Sequence, residues 1–191
     1  AQVRALTRLL AERDVSTEEH TRRVALRAVQ VGEELGLSPE RLRVLAAGGL
    51  LHDMGKLAVP DEILAKPGAL TPAEYEAVKQ HPENGRRLLA ELGFAAEVQR
   101  LVLDHHERVD GSGYPRGIED GALDLETRIL GVCDVYDALV SPRVYRSGSW
   151  SHADAVRHLR GAARAQFDQR CVEALERVLA REHGESLRLA V

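Results

Sequence analysis

Residues 38–56 read SPERLRVLAAGGLLHDMGK. Ser38 followed by Pro39 is a helix start, an oxygen-bearing cap ahead of a residue whose missing N–H costs nothing in the first turn. Leu42, Leu45, Ala46 and Gly49 then fall on one face, and that face carries on into His52 or Asp53. The helix is predicted to stop at Gly55 and to leave Lys56 at its mouth. A helix built for burial therefore delivers an adjacent imidazole and carboxylate to the interior. Burying both is costly unless something pairs with each of them, so the remainder of the chain has to supply partners.

The same reading extended outward gives helices almost everywhere. Ser16 to Glu19 (STEE) is a capping box opening a helix that runs to about Leu35 and ends at Gly36. Thr71, Pro72 and Glu74 open another, and His81-Pro82 starts a third that reaches Gly93. Further helices are predicted over Ala95–His106, Thr127–Val140, from the cap Ser151–Asp154 (SHAD), and over Phe167–His183, the last closed by Gly184. No alternation of period two persists, so no strands are expected. The fold class is all-α, a helical bundle of about seven to eight helices. Residues 1–14 (AQVRALTRLLAERD) read as a helix already under way, the end of a linker from an upstream sensor or receiver domain or a dimerising helix. Residues 15–191 form the domain proper.

The helical faces converge on one set of side chains. His20 shares its face with Val24, Val31 and Leu35, and His105 follows Val98, Leu101 and Val102, with His106 alongside. Asp134 lies between Leu130 and Ala138 and shares a face with Asp137. With His52, Asp53 and His81, five imidazoles and two carboxylates point inward. His152, His158 and His183 sit among charged residues and read as solvated. Seven such groups cannot be buried together unpaired, and divalent cations satisfy all their lone pairs at once. The set is too large for one tetrahedral site and suits two metals sharing a carboxylate, with Asp53 as the natural bridge. Imidazole and carboxylate without thiolate suit Fe or Mn, with Zn, Mg and Ni as alternatives.

Composition sets the outer limits. A net charge of −4 and 29% charged residues argue against a nucleic-acid-binding face. Two cysteines, Cys133 and Cys171, make neither a metal spacing nor a disulfide framework, so both read as small core residues and the cytoplasm is the expected compartment. No apolar run approaches the length of a membrane span. The four glycines of the loop from Arg108 to Gly121 favour a structured turn, pinned near the metals by Tyr114-Pro115. Trp150 reads as packing at the start of a helix.

His52-Asp53 followed by Gly55-Lys56, together with HHERVDGSGYPRG at 105–117, resembles the HD-GYP subgroup of the HD phosphohydrolase superfamily. The segments KPGALTPAEYEAVKQHPENG, RILGVCDVYDAL and SPRVYR extend the likeness from about His20 to Phe167. The resemblance implies a domain that binds two or three metals and hydrolyses cyclic di-GMP to the linear dinucleotide or on to GMP. It implies His20, His52, Asp53, His81, His105, His106 and Asp134 as metal ligands. It also implies Lys56, Asp137, Arg143 and Arg146 as substrate contacts, and Gly113, Tyr114 and Pro115 as the signature loop. Asp53 and Lys56 are the expected catalytic residues, Lys56 binding the phosphate and protonating the leaving 3′ oxygen. Members with a third metal carry a Glu one turn before the first His; Ser16 stands there, so two metals are expected. Val144 replaces the usual proline of the RPYR segment. The rival expectations are an HD enzyme acting on another nucleotide, and a non-catalytic module that binds a cyclic dinucleotide or a partner protein.

Overall fold

The computed structural model describes residues 2–13, 15–141, 148–163 and 165–189. Among them are nine α-helices of seven residues or more: α1 (Gln2–Arg13), α2 (Val15–Glu34), α3 (Pro39–Leu51), α5 (Pro72–Val78), α6 (His81–Glu91), α7 (Ala96–Asp104), α8 (Leu125–Val140), α9 (His152–Ala162) and α10 (Gln169–Leu189). One four-residue turn, α4 (Asp61–Leu64), and two 3-10 turns complete the described set. The count exceeds the predicted seven to eight, and no described residue lies in a strand beyond one isolated bridge between Asp110 and Glu119. No helix among the described residues is long and apolar enough to cross a membrane.

The predicted caps position the helices. Ser38 accepts from the Arg41 N–H at the start of α3. Thr71 and Glu74 exchange hydrogen bonds across the first turn of α5, completing a capping box. Ser151 accepts from the Asp154 N–H at the start of α9. The start expected at Ser16 lies one residue late, since α2 begins at Val15, and the Ser16 side chain is outside the described residues. At the other end of the chain, Gly184 does not close α10, which continues to Leu189. One interior glycine costs only about 1 kcal/mol, and the Glu, Leu and Arg that follow favour helix.

The predicted stop at Gly55 is also displaced. Helix α3 ends at Leu51, because the His52 ring bonds the Gly49 carbonyl at 2.8 Å, an acceptor that a continued helix would offer to the next turn. The chain then tightens into a 3-10 turn, Met54–Ala58. Gly55 serves a different purpose there: a Cβ on it would lie 1.8 Å from the His81 carbonyl oxygen. Only glycine lets this turn lie on α6, and that contact brings Asp53 to His81.

Two apolar clusters hold the helices. The larger joins Val24, Ala28 and Val31 of α2 to Leu45, Leu101, Ile129, Leu130, Leu159 and Leu175, with Cys133 and Cys171 fully buried in it as free thiols. The smaller gathers Leu51, Met54, Leu89, Val98 and Val102, against which Val3 and Leu6 of α1 pack. Helices α3 and α7 contribute to both, so their C-terminal ends are held from two sides.

Candidate metal centre

Three histidines reach the site by one device. His52 follows the end of α3, His81 the end of α5, and His105 the end of α7, where the last-turn carbonyls lack helical partners. Each ring bonds through Nδ1 to a carbonyl three residues earlier: His52 to Gly49 at 2.8 Å, His81 to Val78 at 2.8 Å, and His105 to Val102 at 2.7 Å. A carbonyl accepts only, so the proton resides on each Nδ1, and each Nε2 turns a lone pair inward.

Those lone pairs meet without protons between them. The Nε2 atoms of His81 and His105 are 3.3 Å apart, and His52 Nε2 is buried with no hydrogen-bond partner. Asp53 stands between, its Oδ1 3.5 Å from His81 Nε2 and its Oδ2 3.6 Å from His52 Nε2. Asp134 faces His20 Nε2 at 3.1 Å, His52 Nε2 at 3.9 Å and His106 Nδ1 at 4.0 Å. Ligand atoms within 4.8 Å of one another form three groups: His81, His105 and His106; His20, His52 and Asp134; and His52, Asp53 and His105. All seven residues expected as ligands are thus brought together. Buried lone pairs facing each other are the condition a cation relieves, and the oxygen and nitrogen donors suit a divalent metal, so the residues present fit one.

The electrostatics show where positive charge is wanted. Burial alone would raise the Asp53 carboxyl, yet the Lys56 ammonium 2.7 Å from its Oδ2 and the His52, His81 and His20 rings hold it well below the usual range. Burial also opposes ionisation of Asp134, and the bond to His20 and the charge of neighbouring rings reverse the sign, holding it low. For His20 burial disfavours the charged ring, but the bonds to Asp134 and Asp137 lift it to about 9. His81 and His106 go the other way, burial lowering them to about 3 and about 4.

The remaining expected residues divide. Lys56 is partly exposed at the edge of the cluster. Both oxygens of Asp137 are taken by protein donors: Arg23 Nε at 2.7 Å and Nη2 at 3.0 Å, Ser141 Oγ at 3.1 Å, and the His20 Nδ1 at 2.7 Å. Asp137 therefore orients His20. Arg143, Val144 and Arg146 lie outside the described residues. Gly113 passes the preceding backbone so closely that a Cβ would meet Glu107 Cα at 2.4 Å, and Tyr114 stacks on His106 with centroids 4.7 Å apart. Burial, then the Tyr75 hydroxyl and the Asp134 and Asp53 carboxylates, push the Tyr114 phenol above its usual range. Of the histidines expected in solvent, His158 is exposed, while the exposed His152 bonds the buried Tyr136 hydroxyl. Trp150 packs edge-on against His158, and the His183 side chain is outside the described residues.

Three supporting groups escaped the sequence reading. Arg23 fixes Asp137 from one turn beyond His20, a spacing that could have flagged it. Glu107 accepts from three successive N–H groups of the loop, Arg116 at 2.6 Å, Gly117 at 3.1 Å and Ile118 at 3.1 Å. The buried Asp104 pairs with Arg116 at 2.6 Å. No local pattern announces the last two, because their partners lie about ten residues on across a turn.

Comparison with known proteins gives the family and the fold. Residues 4–171 match the family described as HD domain. The chain is 43% identical over 174 residues to the cyclic di-GMP phosphodiesterase response regulator RpfG of Xanthomonas campestris, an alignment covering 90% of this chain and 46% of that protein. It is 43% identical over 135 residues to the 3'3'-cGAMP-specific phosphodiesterase 1 of Vibrio cholerae, covering 71% of this chain and 31% of the relative. The chain thus spans less than half the length of these curated relatives. The HD domain of the Listeria monocytogenes phosphodiesterase PgpH, solved in complex with cyclic-di-AMP, matches with a TM-score of 0.70 at 15% identity over 94% of this chain and 96% of that one. Bd1817, an HDG"Y"P protein of Bdellovibrio bacteriovorus, matches with a TM-score of 0.69 at 21% identity over 84% of this chain and 51% of that one. At these identities the two structures speak to the fold alone.

Proposed function

Since the chain belongs to the HD domain family, in its HD-GYP branch, we propose that it is a metal-dependent phosphodiesterase that opens cyclic di-GMP to the linear dinucleotide. The observation that carries this reading is the meeting of unprotonated imidazole nitrogens around Asp53, with His81 and His105 Nε2 3.3 Å apart. Two divalent ions, iron or manganese, would be held by His20, His52 and Asp134 and by His81, His105 and His106, with Asp53 standing between the two groups. Ser16 offers no carboxylate for a third. Bound there, divalent ions supply Lewis acidity toward the phosphoryl oxygens and make a water acidic enough to attack at neutral pH.

The protein's own groups do the rest. Asp53 and Asp134 are ionised and buried, so they fix the cluster's geometry and its charge. Lys56 Nζ, at the solvent edge, leaves Asp53 to bind a phosphate oxygen and then gives a proton to the departing 3′ oxygen as the P–O3′ bond breaks and a water oxygen bonds to phosphorus, the proton that the water loses passing through solvent back to the lysine. Arg143 and Arg146 hold the second phosphate. Helix α1 joins the domain to an upstream sensor or receiver domain; that RpfG is named a response regulator, and is longer than this chain, supports this. Leu9 and Leu26, both more than half exposed, support a dimer contact through α1 and α2.

The test is elemental analysis of anaerobically prepared protein followed by turnover of cyclic di-GMP on the same sample. About two equivalents of metal and conversion to the linear dinucleotide are expected, with turnover lost in His52→Ala. Full activity in that variant, or in protein stripped of metal, refutes the reading.

A further inference from the structure

The roles proposed so far leave the wall beside the cluster unused. Tyr114, stacked on His106, has the Lys79 Nζ 5.4 Å from its ring centroid. The same ammonium lies 5.7 Å from the centroid of Tyr75, one turn earlier on α5. Glu76 holds it at 3.1 Å. Tyr75 is 50% exposed, unusual for so large a ring. A continuous surface therefore runs outward from His106 through Tyr114 and Lys79 to Tyr75, a cation set between two phenol rings with the outer ring open to water.

We propose that Tyr75 and Lys79 form a nucleotide subsite beside the metal centre, the open face of Tyr75 stacking a purine base and Lys79 Nζ meeting a phosphate of the same ligand. This rests on the phosphodiesterase reading, and it assigns the position of the base, which that reading leaves open. An exposed aromatic ring stacks any nucleobase through its face. An ammonium has three donors, and Glu76 uses only part of that capacity, so Lys79 can take a phosphate oxygen without abandoning its anchor. Both rings hold the cation near the cluster, so the base and the phosphate that Lys56 binds can engage the wall together.

The test separates the subsite from the reaction. A phosphorothioate analogue of cyclic di-GMP that resists hydrolysis is titrated into the full-length, manganese-loaded protein by calorimetry. Tyr75→Ala and Lys79→Met are each expected to weaken binding about tenfold, with unfolding midpoints near the wild type's. Tyr75→Trp and Lys79→Arg should restore it, and the Lys79→Met deficit should shrink in high salt. Unchanged affinity in both Tyr75→Ala and Lys79→Met overturns the subsite, as does a wild type that does not bind the analogue. Wild-type protein that binds the analogue through these residues but leaves cyclic di-GMP intact upholds the subsite and refutes the reaction.

Discussion

His20, one of the proposed ligands, shows how far a single imidazole depends on residues behind it. Its Nδ1 bonds Asp137, and Asp137 is held in turn by Arg23 and Ser141. Groups that orient a metal-binding imidazole are commonly worth 10–100-fold in metal affinity. Asp137→Asn keeps the shape and removes the charge, so manganese affinity should fall by roughly tenfold or more, measured by competition with a chelating dye, while the helices persist by circular dichroism. An unchanged affinity would show that Asp137 does not support the metal through His20.

At the scale of elements, the site is made where helices stop. The 3-10 turn after α3 lies on α6 only because Gly55 has no side chain. Gly55→Ala should cost about 3 kcal/mol or release the turn from α6, seen as a lower denaturation midpoint together with loss of metal binding. The loop after His106 is tied just as firmly. Glu107→Ala removes the carboxylate that three loop N–H groups share, and because residues 116 and 117 are exposed and 118 half-buried, water takes part of its place and each lost bond costs about 0.5–1.5 kcal/mol. A loss on the order of 3 kcal/mol in urea unfolding is expected, with Glu107→Gln milder because it keeps one acceptor oxygen. The helices themselves were legible because caps are local: Ser38, Thr71 with Glu74, and Ser151 act within one turn of their own chain. The stop at Gly55 and the closure at Gly184 were misread because glycine there answers to tertiary contact in one case and is tolerated in the other.

For the whole molecule, opposed histidine shifts set a stability optimum in the metal-free protein. His81 and His106, lowered to about 3 and about 4, and His105, held well below its usual value by burial, bind protons more readily when unfolded, so stability is lost as pH falls below the unfolded histidine value near 6.5. His20, raised to about 9, binds its proton more readily when folded, so its contribution is present below about 6.5 and lost as pH rises toward 9. Melting midpoints of chelator-treated protein should therefore peak near neutrality, and added manganese should flatten the alkaline side, since a metal held by His20 replaces that proton. A midpoint rising steadily to about pH 9 would contradict the assignment. The amino-acid sequence by itself determined the helical class and the seven residues that meet, because helical periodicity decides which side chains face inward and burial forbids leaving five imidazoles and two carboxylates unpaired. Only the tertiary structure decided which nitrogen of each ring turns inward, that Asp137 serves His20, and that Glu107 clamps the loop, because hydrogen bonds between groups distant in sequence depend on backbone positions that no local pattern encodes.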